Sequence, residues 1–299
     1  MSIASTEADR TLVNGPALEG DRRREDRQLL MLCSPGMLLA FLLLCLPIGW
    51  LFWFSFIDAE NHLTAEHYTR IWTEGAYVQI FITTFKTSAI VTAICVLLGY
   101  PLAYCLSQIP QRWSGILMLG VLIPFWTSLL VRTYAWLVLL QRKGVINNLL
   151  VESGLVDKPL PLVNNLTGTV IGMTHVMIPF LVLPLYAAML SIDGTYTRAA
   201  ANLGASPTKA FWQIYLPLSL PGLIAGMVLT FILCLGFYIT PAILGGGKVQ
   251  FIAQRVATSV SLFPTWGPAS ALGVVLLVLT VLILLASQVV INRWRRLLG

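Results

Sequence analysis

The stretch TRAAANLGASPTKAFWQIYLPLSLPGL, residues 197–223, decides how this chain is read. It lies between two long apolar runs and carries two cations, no acid, three consecutive alanines and three prolines. Its local chemistry predicts two short helices broken by a turn. Thr195 is placed to cap the first, which runs through Ala199, Ala200 and Ala201. Gly204 suits the left-handed position that ends such a helix. Ser206 caps the second, with Pro207 at its first position. Pro217 and Pro221 mark entry into the next apolar helix. Small alanines let a partner's groove close around the first helix, and a rigid knob joined to a membrane helix is a mechanical handle.

The rest of the chain explains why a membrane is invoked. Of 299 residues, 57% are hydrophobic and 11% charged, against about 25% charged in soluble domains. The formal net charge of +6 comes without a basic stripe or a nucleic-acid motif, so it reads as membrane topology and not as nucleic-acid binding. Charge-free stretches occupy 28–57, 87–111, 113–131, 159–192, 210–247 and 256–292. Each supplies the roughly 20 residues a spanning helix needs. The reading is an all-α integral membrane protein with six transmembrane helices, near 29–56, 78–107, 114–140, 166–190, 216–241 and 268–291. Residues 1–27 form a polar tail expected to be disordered and cytoplasmic. Residues 28–299 form the transmembrane domain, with a cytoplasmic loop at 193–217.

Arg22, Arg23, Arg24 and Arg27 precede the first span. Its apolar part is too long for a signal-peptide core, and no small-residue cleavage site closes it. With the amino terminus inside, the inner flanks also hold Arg112, Arg198, Lys209, Arg293, Arg295 and Arg296. The outer flanks hold Arg70, Arg142, Lys143, Lys158, Lys248 and Arg255. Ten cations against six place both termini in the cytoplasm. Outside, short helices are expected over 145–153 and, at the surface, over 251–262. Trp72, Trp266 and Tyr68 fall where interfacial aromatic belts form. Gly168/Gly172 and Gly222/Gly226 are G-x-x-x-G pairs that permit close helix contact. The five cysteines lie in apolar runs without metal-ligand spacing and read as small hydrophobes.

Residues 199–217 then carry a resemblance. AAANLGASPTKAFWQIYLP is similar to the signature loop of the permeases of binding-protein-dependent (type I) ABC importers: Glu-Ala-Ala, three residues, Gly, nine residues, Ile-x-Leu-Pro. Ala199, Ala200, Gly204, Ile214, Leu216 and Pro217 match at the family's spacing, and Arg198 stands where the family has glutamate. PFWTSLLVRTYAWLVLLQRKGVINNLL, GLVDKPLPLVNN, MIPFLVLPLYAAMLSID and ITPAILGG resemble the putrescine/spermidine branch. The resemblance implies the six-helix MetI-like permease fold and an ATPase-coupling role for those seven loop residues. It also implies a second homologous permease, an ATPase dimer that binds ATP and magnesium, and a periplasmic solute-binding protein. No cofactor is expected in this chain itself. Its home would be a bacterial inner membrane.

For the solute path the sequence offers fewer clues. No Asp or Glu falls inside the six spans, and Phe237 and Ala242 stand where the polyamine branch places acids. The remaining cation-friendly groups are aromatic: Trp126, Tyr134, Trp136, Tyr186, Phe237 and Tyr238. Lys86, Arg132 and His175 are intramembrane ionisable residues, hence functional candidates. If Lys86 or Arg132 holds a carboxylate, an amino acid, opine or other zwitterion fits better than a polyamine. Residues 245–248, GGGK, fail the phosphate-loop pattern, because Ala242 and Val249 are wrong at both ends. Two rivals stand outside the class. An ion-coupled secondary transporter lacks support, because no intramembrane carboxylate relay is present. A membrane enzyme would need a His, Asp, Glu or Cys cluster.

Overall fold

In the computed structural model, backbone is described for residues 4–263 and 265–298, and side chains for 28–263 and 265–293. Residues 1–54 form one compact unit and 55–299 another. The first unit is essentially helix α1, Ala4–Ser55. Its apolar part, Gln28–Ser55, is long enough to span a bilayer. The backbone is helical from Ala4, where disorder was expected over 1–27. Ala, Glu and Arg, all strong helix formers, recur there.

The second unit begins with α2 (Glu66–Thr73), α3 (Gly75–Gln108), α4 (Gln111–Trp126), α5 (Leu129–Leu140), α6 (Val145–Glu152) and α7 (Leu166–Leu190). It continues with α8 (Thr195–Asn202), α9 (Pro207–Ala210), a π turn (Phe211–Tyr215) and α10 (Leu216–Leu235). Helices α11 (Ile239–Leu244), α12 (Ile252–Leu262) and α13 (Gly267–Leu298) complete it. The described residues contain no strand beyond one isolated bridge between Ile57 and Leu63.

Helices α3, α7 and α10 pack on one another as the centre of this unit. One buried cluster joins Val91, Cys95, Met173, Met177, Leu181 and Cys234, and a second joins Ala103, Leu106, Val182, Leu185, Tyr215 and Leu223. In a bilayer, lipid tails are as apolar as these side chains, so close packing holds helices together more than burial does. The small residues supply that closeness. A Cβ on Gly222 would lie 2.2 Å from Ala188 Cβ, and one on Gly226 2.9 Å from the Leu181 carbonyl oxygen. Gly172 is crowded in the same way by Leu244 and Thr240. These glycines of the two G-x-x-x-G pairs therefore face protein. Cys95 and Cys234 are buried in the core as free thiols.

Two expected spans are interrupted. The third is not one helix over 114–140. Helix α4 ends at Trp126, and the two arms, Gln111–Trp126 and Leu129–Glu152, meet at 95°. Pro124 removes one helical hydrogen bond. Thr127 N–H and hydroxyl both then donate to the Pro124 carbonyl, at 3.3 and 2.7 Å, and close the helix. The fifth span stops at Leu235, six residues short of the expected 241. A continuous helix would drive the Pro241 ring into the Phe237 carbonyl. Instead the chain breaks over Gly236, Phe237 and Tyr238 and restarts as α11.

Helix α12 is more than a surface helix. Phe251 and Ile252 at its start are fully buried, and Ile252 N–H donates to Thr84 Oγ1 at 3.1 Å. The expected ends of the second and fourth spans agree with the structure to within three residues, whereas α13 runs seven residues past the expected 291; α7 begins where Asn165 caps it, its Oδ1 accepting from Gly168 N–H at 3.0 Å.

Candidate functional site

The segment quoted at the outset folds as two short helices around a turn. Gly204 has φ +81°. Its N–H donates to the Ala201 carbonyl at 2.9 Å, and Ala205 N–H donates to the Ala200 carbonyl at 3.0 Å. That bond pair is the Schellman closure, which satisfies carbonyls a helix end otherwise leaves open. Ser206 Oγ then accepts from Lys209 N–H at 3.3 Å, and Pro207 occupies the first turn of α9.

The start of α8 differs from expectation. Thr195 is not the cap; it is the first helical residue, and Gly194 precedes it. Asp193 Oδ1 accepts from Thr195 N–H at 2.9 Å, and Thr197 Oγ1 donates to the Gly194 carbonyl. The Thr195 N–H and hydroxyl hold the Asp193 carboxyl below its usual range, and Arg198 adds a smaller pull. An acid just before the helix offsets the cation in its first turn. Sequence reasoning missed Asp193 because it looked for the acid inside the helix.

Helices α9 and α10 are linked through the π turn into one rod, Pro207–Leu235. Pro217 has no N–H for the Gln213 carbonyl, so the ladder must adjust there. Leu216 N–H reaches back five residues to Phe211. The turn presents Phe211 and Tyr215 to the end of α3. Tyr104 meets both rings edge-on, at 5.2 and 5.1 Å. Tyr215 OH lies 2.8 Å from Ser107 Oγ and accepts from Gln108 Nε2 at 3.3 Å. Tyr100 OH and Ser219 Oγ are 3.0 Å apart. The loop is thus tied to α3 by rings and hydroxyls as well as to α10 by covalent continuity.

The matched residues divide by exposure. Ala200 is buried, Ile214, Leu216 and Pro217 are half-buried, and Arg198, Ala199 and Gly204 are exposed. Tyr196, Ala199, Ala200 and Leu203 recur at helical spacing and line a groove of about 600 Å³, whose far wall includes Lys209 and Ile214. Leu203 is 89% exposed at its edge. At 100° per residue, Arg198 projects from the opposite side of α8.

At membrane depth the structure brings some candidates together and leaves others apart. His175 and Trp136 meet edge-on at 5.6 Å, and Arg132, four residues before Trp136, lies on the same face of α5. Arg132 Nε and Nη1 and His175 Nδ1 are buried without a hydrogen-bond partner among the described residues. The next residue, Thr133, joins α5 to α11 through Thr240, at 3.2 Å. This group therefore lies beside both broken spans, where discontinuous helices place solute sites in transporters. Lys86, Tyr134 and Trp126 are exposed, Trp126 at 85%, and among the described residues none bonds to the Arg132 group. Phe237 packs on the first core cluster. Tyr238 lines a separate polar pocket of about 230 Å³ with Gln250, Gln254, Arg255 and Thr258. Arg255 stacks over the Tyr77 ring at 4.9 Å and donates to its hydroxyl. Sequence reasoning gave no role to this pair, since partners 178 residues apart leave no local signal.

These features define a helical membrane transport subunit, with interrupted spans around a polar centre and a stiff loop emerging from one rod. Residues 29–296 match the family described as "Binding-protein-dependent transport system inner membrane component", and the chain belongs to that family. It is 33% identical over 222 residues to the spermidine/putrescine transport system permease protein PotB of Haemophilus influenzae, covering 74% of this chain and 77% of the relative. The PotB of Escherichia coli is 30% identical over the same length, covering 74% and 80%. The fold also resembles a bacterial ABC transporter chain involved in alginate import, with TM-score 0.70 at 17% identity, covering 93% of this chain and 99% of that one. This protein is the permease subunit of an ABC importer, with the MetI-like helical fold.

Proposed function

We propose that this permease imports polyamines of the spermidine/putrescine class. It pairs with a second homologous permease, draws on an ATPase dimer inside the cell and receives solute from a periplasmic binding protein. ATP and magnesium belong to the ATPase partners, and this chain performs no bond chemistry. Both termini and the 193–217 loop face the cytoplasm. One observation carries the mechanism: a loop closed at Gly204 and stiffened by Ser206 continues without interruption into the rod Pro207–Leu235. ATPase closure on α8 moves that rod as a body, and access to the solute path changes sides. The assignment of the solute is supported by the two PotB relatives.

A second reading follows from the polar centre. No acid lies in the spans, and Arg132 has two buried, unpartnered N–H groups. A zwitterion whose carboxylate meets Arg132 satisfies them. Reconstitution with partner subunits, followed by ATP-dependent uptake of labelled putrescine, spermidine and amino acids, separates the two. Uptake of polyamine alone supports the first reading, and uptake of amino acids alone supports the second. Uptake without ATP refutes both and favours an ion-coupled carrier.

A further inference from the structure

We infer that the polar pocket between α11 and α12 is a carboxylate subsite of the solute path, in which Arg255 and Gln254 select solutes bearing a carboxylate beside their amine. The inference rests on the importer reading above, sides with its zwitterionic solute, and gives the carboxylate a site apart from Arg132.

The fifth span breaks at 236–238, and Tyr238 at the break forms one wall of the pocket. Breaks of this kind hold solute sites in transporters. With the 193–217 loop inside, this end of the rod faces the periplasm, where solute arrives. The pocket encloses about 230 Å³. A cavity of about 150 Å³ already admits benzene, so one end of a small solute fits.

The lining presents donors and no acid. Gln254 Oε1 accepts from Phe251 N–H at 2.8 Å, which fixes the amide and leaves Nε2 to donate. Arg255 is held against buried Tyr77: Nη2 donates to the Tyr77 hydroxyl at 3.2 Å, and the guanidinium carbon lies 4.9 Å from the ring centre. Arg255 Nε, by contrast, is buried without a hydrogen-bond partner among the described residues, and no ion pair among them includes Arg255. Such a group is costly to leave unpaired. The last acid in the sequence is Asp193, so α11, α12 and the loop joining them contain none, while exposed Lys248 follows Gly247 at the rim. A carboxylate gives Arg255 the planar acceptor that its guanidinium fits best. A bare diamine offers it only like charge.

Ornithine is putrescine with one carboxylate added, so the two isolate the group in question. Proteoliposomes carrying the complete complex and its binding protein are assayed for ATP-dependent uptake of labelled putrescine, ornithine and a panel of other amino acids. The expected result is uptake of one or more carboxylate-bearing amines. Gln254→Glu keeps an oxygen for Phe251 N–H but sets an acid in the pocket, and should raise KM for that solute at least tenfold at unchanged maximal rate. Arg255→Met keeps the stem on Tyr77 and removes the charge, with the same expected shift, and Arg255→Lys should restore part of the affinity.

Uptake of putrescine alone overturns the inference and leaves the importer reading standing. Uptake of no solute in the panel, or uptake without ATP, fails that reading itself. Variants that leave KM unchanged, or lower only the maximal rate, assign Arg255 and Gln254 to packing and overturn the subsite. Association of the solute-free binding protein with the complex is measured in parallel. If Arg255→Met weakens that association, the carboxylate belongs to the binding protein and the inference is overturned.

Discussion

Gly204→Val tests the lever at its turn. A Cβ at this position meets nothing within 4 Å, so the substitution adds no steric clash with neighbours. Its cost lies in the backbone. At φ +81° an L-residue loses about 1–2 kcal/mol, and β-branching makes the region harder still to enter. If the turn relaxes instead, it gives up the two bonds to the Ala200 and Ala201 carbonyls, each with a net value of about 0.5–1.5 kcal/mol. Either route weakens the turn by roughly 1–3 kcal/mol, which raises its open population about five- to 150-fold at 1.4 kcal/mol per decade. Hydrogen exchange should report that rise at the Gly204 and Ala205 amides. In the reconstituted complex, uptake should fall while ATP hydrolysis continues, which is loss of coupling. Gly204→Asn supplies the control, because Asn tolerates the left-handed region and should retain most uptake. Val behaving like wild type would refute the argument that a left-handed turn transmits force. Val and Asn failing equally would show that size, and not backbone conformation, is what the partner senses.

Three further outcomes follow from the geometry. Gly222→Ala forces a methyl against Ala188 and should destabilise the detergent-solubilised protein by about 1–3 kcal/mol in thermal unfolding; Gly120→Ala, with nothing within 4 Å, should not. The Asp193 carboxyl sits below its unfolded value of about 3.9, so its contribution to α8 is present above that pH and lost as pH falls through the lower folded value. Amide protection at Thr195 should therefore decline only in strong acid, and Asp193→Asn should abolish that decline. Asn147 is fully buried; it donates to the Gln141 and Leu160 carbonyls and accepts from Leu160 N–H. Asn147→Ala leaves these groups unpaired, so it should cost about 1–3 kcal/mol and accelerate proteolysis between α6 and α7.

The loop knob at 195–215 and the polar centre differ in their chemical character. The knob is built to be stiff: both helix ends are capped, and Tyr215 fastens it to α3 through Ser107 and Gln108. The centre is built to be incomplete. Arg132 and His175 keep buried polar atoms without partners at the point where two spans are interrupted. A buried unpaired group is costly where water is excluded. Lys86, by contrast, is exposed on α3.

What the sequence determined alone was whatever depends on neighbours along the chain. Apolar runs located the five helices long enough to cross a membrane, and the bent pair that makes a sixth when its two arms count as one span, because length and hydropathy are local properties. The turn chemistry of Gly204, Ser206 and Pro207 was legible for the same reason, and so was the spacing that carried the family. Tertiary structure decided the rest. It bent the third crossing by 95° and cut the fifth at Gly236, where a proline's clash is resolved by a break only if neighbouring helices satisfy the freed backbone. It brought Trp136 of α5 against His175 of α7, and left Lys86 exposed. Such encounters depend on how helices rotate against one another, and in lipid that rotation is set by where glycines such as Gly222 and Gly226 allow backbones to touch.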